Sequence, residues 1–442
     1  MSEPSKPSRR SVRRAASVVG VAVLLVPLAL YEGRKVIARE ALVGWLLDHG
    51  VTSEVNIEGL RLDRLSGGVR AGNLKAPDFL AQDVAVTYGL RGLNFEVQSI
   101  TLRGPTLRAR LHDGRFSLGS LDRLIGELLR KPPQPDKAQP RIRIDRGILL
   151  LATDYGPVRL TLDATVKDGR LVALVARSDP ARLKDEAFDV AVGAGAASLR
   201  TTGDRVALTL DAPIESLRAG GVTAKAARLQ LKGDAPYPDL KRKRFDGAVA
   251  LHVNFVGQGL ALDGDQVDAP WVEVSFQGRT SGWIDDLSLG GAGVADLRSS
   301  AAAVRGMRLG PLRAAMKAGD LRWTRKGGDA VSATPQVTAL LQEGVAGQLR
   351  VSQLLIEGRG PVSYGRDGVQ TAMTVSLDGH GGWVGLGPVK AADAPELVAM
   401  KRAAQGFQVV APAMTVELKG GASRFVLPQP LRLRADRGGT LK

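Results

Sequence analysis

The side chains that most often carry chemistry are few and scattered in this chain. It has four histidines, and no two of them stand three or four residues apart, which is the spacing of a helical metal site. They are His49, His112, His252 and His380. Cysteine is absent, which excludes thiolate metal sites, thiol catalysis and iron–sulfur clusters. We therefore expect no metal site and no cofactor.

Three short stretches resemble active-site or nucleotide-binding motifs but lack the surroundings that those motifs need. Gly193 and Gly195 echo a dinucleotide fingerprint, but Ser198 replaces the third glycine and a strand pattern follows instead of a helix. Residues 380–382, His-Gly-Gly, resemble an oxyanion-hole loop, yet no Gly-x-Ser-x-Gly segment supplies a nucleophile. The adjacent pair Asp285–Asp286 would point to opposite faces of a strand. We interpret all three as turns and predict that the protein is not an enzyme.

Alternation of apolar and polar residues dominates the chain after residue 50. In residues 158–165, for example, valine, leucine or alanine occupies every second position, which is typical of a half-buried strand. The same pattern recurs to the end of the chain. Turn signals such as Asp168-Gly169, Gly233-Asp234 and Asp263-Gly264 separate the alternating runs. The sequence therefore predicts a mainly β fold with a mostly antiparallel sheet.

Helical patterns are few. Leucines at three- and four-residue spacings after Ser117 predict a helix over residues 118–130, and residues 393–404 predict another that ends at Gly406. Residues 298–318 are ambiguous between helix and strand. No strand–helix–strand rhythm of the kind that builds a parallel sheet is present.

A proline-rich segment suggests how the chain is divided. Residues 131–140 contain four prolines, so neither a helix nor a strand can run through them. We interpret them as a linker between an N-terminal β module, residues 51–130, and an elongated β-sheet, residues 141–442.

An uncharged, mostly apolar run of 17 residues, 15–31, is the candidate membrane anchor. Its length of ~26 Å as a helix is just enough to cross a bilayer. Four arginines precede it, so the positive-inside rule places residues 1–14 in the cytoplasm. Signal cleavage after Ala29 would place Pro27 at a position that needs a small residue, so we expect the run to be retained. Its apolar core is Val18, Val19, Val21, Val23, Leu24, Leu25, Val26, Leu28 and Leu30. Residues 36–48 predict a membrane-proximal amphipathic helix.

The net charge of +16 has two interpretations. It favours contact with anionic membrane surfaces, or it reflects solvated arginines that keep a β-rich surface soluble. Aromatic residues make up only 4% of the chain, whereas single-stranded nucleic acid needs stacking rings, so we predict no nucleic-acid partner.

The apolar face of the predicted sheet needs a cover. Two helices cannot cover roughly two dozen strands, so the sheet must either fold into closed sandwiches or form a long, curved groove that holds lipid tails. The continuous meander, the shortage of helices and the anchor favour the groove. The candidate lining residues are Leu107, Leu111, Leu160, Leu162, Val206, Leu208, Leu229, Leu231, Leu251, Val253, Val272, Val274, Val375, Leu377, Val416 and Leu418.

The N-terminal third of the chain resembles a known family. After the anchor come a short helix that ends in GWLLDHG, the strand pair VNIEGLRLDRLSGGVRAGNLKAP, and FEVQSITLRGPTLRARLHDGRFSLGSLDRLIGELL. This order resembles the YdbH family of intermembrane phospholipid transport proteins, which are relatives of the TamB and AsmA-like proteins and belong to the bridge-like lipid transfer proteins with repeating β-groove modules. The resemblance covers residues 15–130.

The resemblance implies a single-pass inner-membrane protein whose bulk lies in the periplasm. Its apolar β-groove would carry phospholipids between the inner and outer membranes. Members of the family are usually much longer, so we expect this chain to be a short member, a truncated one, or half of a bridge that an outer-membrane or periplasmic protein partner completes. The alternative is an envelope scaffold or assembly factor, a closed β-sandwich that docks protein partners.

Overall fold

The computed structural model describes residues 35–36, 38–61, 63–73, 75–91, 94–113, 115–124, 139–239, 242–304, 306–326, 328–366, 368–419, 422–426, 432–435 and 440–441. These residues form a mainly β fold in which thirty-one strands belong to one large mixed sheet. The prediction of a mainly β chain is therefore confirmed. The chain divides into two units, residues 1–154 with 161–171, and residues 155–160 with 172–442.

The first unit begins with helix α1, residues 35–48 with residue 37 outside the described set, where a membrane-proximal helix is predicted. Its strands are β1 (Ser53–Leu60), β2 (Arg64–Ala71), β3 (Phe79–Arg91), β4 (Asn94–Arg103), β5 (Thr106–His112), β6 (Arg115–Ser117) and β7 (Arg141–Thr153). A 3-10 turn, Gly119–Leu121, leads into helical residues 122–124, and residues 125–130 of the predicted helix lie outside the described residues. Two strands, β8 (Gly156–Lys167) and β9 (Arg170–Ser178), have residues in both units.

The second unit contains the remaining strands and helix α2. The strands are β10 (Ala181–Lys184), β11 (Phe188–Val192), β12 (Ala196–Thr202), β13 (Arg205–Ala219), β14 (Val222–Pro236), β15 (Gly247–Val256), β16 (Gly259–Leu262), β17 (Asp265–Asp268), β18 (Trp271–Ser281), β19 (Ser288–Ser299), β20 (Ala301–Val304), β21 (Met307–Leu309), β22 (Leu312–Thr324), β23 (Ala330–Ala333), β24 (Gln336–Ala346), β25 (Leu349–Arg359), β26 (Val362–Gly365), β27 (Gly368–Trp383), β28 (Phe407–Lys419), β29 (Ala422–Val426), β30 (Arg432–Ala435) and β31 (Thr440–Leu441). A 3-10 turn, Val384–Leu386, follows β27, and α2 (Pro395–Gln405) precedes β28.

The pairing is antiparallel except at β7. This strand lies parallel to β4 over Arg141–Asp145 and parallel to β5 over Ile148–Thr153. Parallel neighbours require a crossover connection rather than a tight turn. The segment between β6 and β7 makes that crossover, so the predicted antiparallel meander has this exception in the first unit.

Between β14 and β24 the sheet divides into two side-by-side series of strands, which we call lanes. Each lane contains four strands. One lane runs through β15, β18, β19 and β22, and the other through β16, β17, β20 and β21. The chain passes from one lane to the other four times, at Gly257, Pro270, Ser300 and Pro311. Proline has no N–H for the ladder, so a strand ends there while the backbone continues into the neighbouring lane.

The buried cores of the two units differ. In the first unit Val51, Ala71 and Leu121 form a buried cluster, against which Leu46 of α1 packs together with Phe79, Leu107, Leu118 and Leu124. In the second unit the buried apolar residues among those described are mostly alanines. They are Ala224, Ala227, Phe276, Ala302, Ala318, Leu341, Ala404, Phe407 and Ala411.

Several local predictions are confirmed. Helix α2 begins with Pro395 in its first turn and is followed by Gly406, as expected. The backbone at Asp168-Gly169 and Asp263-Gly264 has positive φ at both residues, which is the geometry of a tight hairpin turn. Asp286 accepts a hydrogen bond from the Trp283 backbone N–H at 2.6 Å, so the Asp285–Asp286 pair lies in a turn. The ambiguous region 298–318 contains the end of β19, the strands β20 and β21, and the start of β22, and none of its described residues is helical.

Two predicted turns are wrong, because in both places the glycine lies within a strand. Gly233-Asp234 lies inside β14, where Gly233 stands between Leu208 and Leu251 on the neighbouring strands. Residues 380–382 lie inside β27. A Cβ on Gly381 would lie 2.9 Å from the Phe407 ring, so only glycine lets that ring approach the strand.

The predictions for the N-terminus concern residues outside the described part of the chain. Residues 1–34 are among those not described, including the predicted anchor 15–31 and the basic tail. No helix within the described part of the chain has the length and apolar character needed to cross a bilayer. The predicted linker also lies outside, except for residues 139 and 140, so that division of the chain stays a prediction.

Substitutions at two neighbouring glycines of β19 test how closely this strand packs against the adjacent strands. We expect Gly291→Ala to lower the free energy of unfolding by about 1–3 kcal/mol, because its Cβ would overlap the Gln277 carbonyl oxygen. Gly290→Ala is the matched control, since its nearest neighbour would be the Leu321 oxygen at 4.0 Å. Chemical denaturation of both variants measures the difference. Equal stabilities would contradict this packing.

Candidate functional site

Apolar side chains of the second unit stand opposite one another across ten strands. Leu231 on β14 lies between Leu210 on β13 and Val253 on β15. Directly opposed residues of antiparallel strands share a face of the sheet. The complete row is Leu210, Leu231, Val253, Val274, Ala295, Met316, Val337, Gly358, Val375 and Met414. Nine steps of about 4.8 Å make this row roughly 43 Å long.

A second apolar row runs beside the first on the same ten strands. Its members stand two residues from those of the first row, except where a bulge in β28 adds a residue, and so face the same side of the sheet. They are Ala212, Leu229, Phe255, Val272, Leu297, Ala314, Ala339, Ile356, Leu377 and Ala411. We call the side that carries both rows the apolar face. No polar side chain interrupts either row.

The opposite side, the polar face, carries charged and hydrogen-bonding residues at the alternate positions. One of its rows is Asp211, Gln230, Asn254, Glu273 and Asp296. Arg228 donates to Asp211 at 2.7 Å, and this hydrogen bond lowers the pKa of the Asp211 carboxyl. The sheet is therefore amphipathic across β13, β14, β15, β18 and β19.

The structure places twelve of the sixteen predicted lining residues together on the apolar face. These twelve lie on β13, β14, β15, β18, β27 and β28, and run from Val206 to Leu418. None of the sixteen is buried, and Leu208 retains 40% of its accessible surface. A sandwich core would bury its central side chains almost completely, and on this face Phe276, Thr280 and Ala411 are buried to that degree whereas the predicted lining residues are not.

The other four predicted residues lie elsewhere. Leu107 and Leu111 are on β5, where Leu107 packs against the buried cluster of the first unit and Leu111 stands opposite Phe116. Leu160 and Leu162 are half-buried on β8. The pairings above do not bring these four into the two apolar rows.

Sequence reasoning missed the middle of the apolar face. Strands β19, β22, β24 and β25 contribute residues such as Leu297, Met316 and Ile356 that were not among the candidates. Their alternation is weakened because alanine and glycine occupy many of the apolar positions, and residues 298–318 read equally well as a helix. Counting alanine as apolar in period two would have found them.

A cluster of titratable groups that histidine spacing did not reveal lies where β5 ends beside β7. His112, Asp113 and Asp154 bring ligand-type atoms within 4.8 Å of one another, and all three are exposed. His112 Nδ1 donates to Asp154 Oδ1 at 2.5 Å, and the Asp113 backbone N–H donates to Asp154 Oδ2 at 2.9 Å. Both Asp154 oxygens thus hold the β5–β6 turn in place, which is a structural role.

Comparisons with known proteins give no assignment. No family model, curated protein or solved structure matches this chain.

The His112–Asp154 pair should be visible in the pH titration. The hydrogen bond to Asp154 raises the pKa of His112 above its ordinary value of 6.5. The His112–Asp154 pair therefore stabilises the folded state fully at pH values below that ordinary pKa. This stabilisation is lost as the pH rises through the raised pKa of His112. With only four histidines, histidine-selective NMR can follow each ring, and Asp154→Asn should return the pKa of His112 toward 6.5. An unchanged pKa in that variant would contradict the pairing.

Thr280 carries an unpaired hydroxyl on the apolar face. It is 2% exposed, and its Oγ1 has no hydrogen-bond partner among the described residues. Burying a hydroxyl without a hydrogen-bond partner costs free energy, and Thr280→Val removes that cost. We therefore expect thermal unfolding to show a gain of about 1 kcal/mol in the free energy of unfolding. Thr338→Val on the exposed polar face is the control and should give no such gain. A loss of stability in Thr280→Val would show that the hydroxyl is satisfied.

Proposed function

We propose that the protein binds phospholipids by their acyl chains on the apolar face and carries them between the inner and outer membranes. One observation carries this proposal: two uninterrupted apolar rows cross ten strands, and the predicted lining residues within them are only partly buried. In water such a surface favours a hydrophobic occupant.

The chemistry of the apolar face suits acyl chains. Removing a methylene group from water is favourable by about 0.8 kcal/mol, so an acyl chain gains several kcal/mol by lying along such rows. Successive strands offer side chains of similar polarity at intervals of about 4.8 Å. A lipid that moves from one strand to the next exchanges one apolar contact for another, so no single position holds it strongly.

Helix α1 supports a position near a membrane. Leu46 packs on the core of the first unit, while Val36, Leu42, Trp45 and Leu47 keep 38–61% of their surface exposed. The proposed inner-membrane anchor, residues 15–31, lies just before this helix in the sequence. Anchoring in the inner membrane with a periplasmic sheet, and the resemblance to YdbH-type transport proteins, are parts of this proposal.

The lipids that accompany the protein test the proposal. The full chain would be purified from cells in mild detergent, and its bound phospholipid extracted and quantified by phosphorus content. Leu229→Asp should reduce the phospholipid by at least about tenfold, because a carboxylate beside acyl chains costs on the order of 2.5 kcal/mol and a tenfold change needs only about 1.4 kcal/mol. Gln230→Asp is the matched control, since it places the same charge on the next residue of β14, on the polar face.

Three outcomes decide the matter. Loss of lipid only in Leu229→Asp, with the far-UV circular dichroism of both variants unchanged, supports the proposal. Wild-type protein without phospholipid, or equal loss in Gln230→Asp, would contradict it. A protein partner that occupies the apolar face in place of lipid would support the scaffold alternative.

A further inference from the structure

Two arginines on the polar face flank an empty position in the sheet. Gly290 on β19 stands opposite Arg279 on β18 and opposite Arg322 on β22. A Cβ at Gly290 would meet nothing closer than the Leu321 oxygen at 4.0 Å. The space above this glycine is therefore open, and a long cationic side chain borders it on each side.

Neither of these two arginines has a bound acid among the described residues. Elsewhere in the second unit, Arg205 pairs with Asp234, and Arg228 pairs with Asp211. Neither Arg279 nor Arg322 has a hydrogen bond or an ion pair within the described part of the chain. An arginine without a carboxylate partner keeps all its donors free for a ligand.

Two of the acids that line the same cavities as these arginines are already engaged. Asp320 lies on the same strand as Arg322, and its carboxylate accepts bonds from the Thr334 backbone N–H and hydroxyl, both at 2.8 Å. Asp246 accepts the Gly282 backbone N–H at 2.9 Å and lies 3.9 Å from Arg244. The positive charge of the arginine pair is thus not neutralised by either carboxylate through a direct bond.

Both arginines line a cavity. A cavity of about 860 Å³ is lined by both of them, and a second cavity of about 600 Å³ shares Arg322, Ser332 and Ser363 with the first. Ser332 stands opposite Arg322, and Ser363 stands opposite Ser332. Two hydroxyls therefore continue the line of donors that the arginines begin.

We propose that Arg279, Arg322 and the gap at Gly290 form a binding site for a phosphate group. Guanidinium groups bind phosphate oxygens in bidentate pairs, and two arginines about 9.6 Å apart along the sheet can close on one phosphate from both sides. The serine hydroxyls would donate to its remaining oxygens. The phosphate belongs either to a lipid headgroup or to a soluble phosphate compound. Both arginines lie on the polar face, opposite the two apolar rows.

Titration calorimetry on the full chain in nonionic detergent tests the site with three probes. These are inorganic phosphate, dihexanoylphosphatidic acid and, as the phosphate-free control, dihexanoylglycerol. We expect Arg279→Gln and Arg322→Gln each to weaken phosphate binding about tenfold, which corresponds to ~1.4 kcal/mol. Gly290→Val fills the gap without changing the charge and should also weaken binding.

The matched control is Arg313→Gln. Arg313 is an exposed residue on the same strand and face as Arg322, outside both cavities. Arginine-dependent binding of phosphatidic acid that is tighter than that of inorganic phosphate supports a lipid headgroup as the source, and equal affinities support a soluble phosphate. Absence of phosphate binding, or equal weakening in Arg313→Gln, would overturn the site. Leu229→Asp should leave phosphate binding intact, which separates this proposal from that of the lipid track.

Discussion

The two-residue period of the strand is the constraint on which the rest of this structure depends. Successive side chains point to opposite faces of the sheet, so an alternating sequence places apolar residues on one face and polar residues on the other. Hydrogen bonding then aligns each strand with the next, and it places Leu231 opposite Val253 and Val253 opposite Val274. A shift of one residue in any pairing would exchange the two faces of that strand. Register therefore determines whether the apolar rows are continuous.

The two faces make different demands on the sequence. The apolar face needs only hydrophobic side chains of suitable size, and residues as different as Phe255 and Ala314 occupy the same row. The polar face is held by specific pairs such as Arg228 with Asp211. Arg279 and Arg322 have no carboxylate partner within the described part of the chain, and strand register places them on either side of the open position at Gly290.

Much of the fold could be predicted, because alternation is a local signal. The strands around Leu160, Leu208, Leu229 and Val274 and the start of α2 all follow from neighbouring residues. The parallel pairing of β7 could not be predicted, since it depends on contacts between residues far apart in sequence. Glycine was the main source of error, because the same residue that permits a turn also permits close packing within a strand.

The candidate site was predictable in part for the same reason. The large apolar residues of β13, β14, β15 and β18 give a clear alternating pattern. The alanine- and glycine-rich strands between β18 and β27 give a weak one. The arginine site could not be seen in the sequence, because Arg279, Gly290 and Arg322 become neighbours only through strand register.

The equal lanes between β14 and β24 limit how this fold can change in length. Each lane contributes four strands between the same two long strands. A hairpin inserted into one lane alone would push β14 and β24 apart on that side only, and would leave the other lane with unpaired backbone groups. Growth or shrinkage here must therefore occur in both lanes together, which couples segments such as 259–268 and 271–299 during evolution.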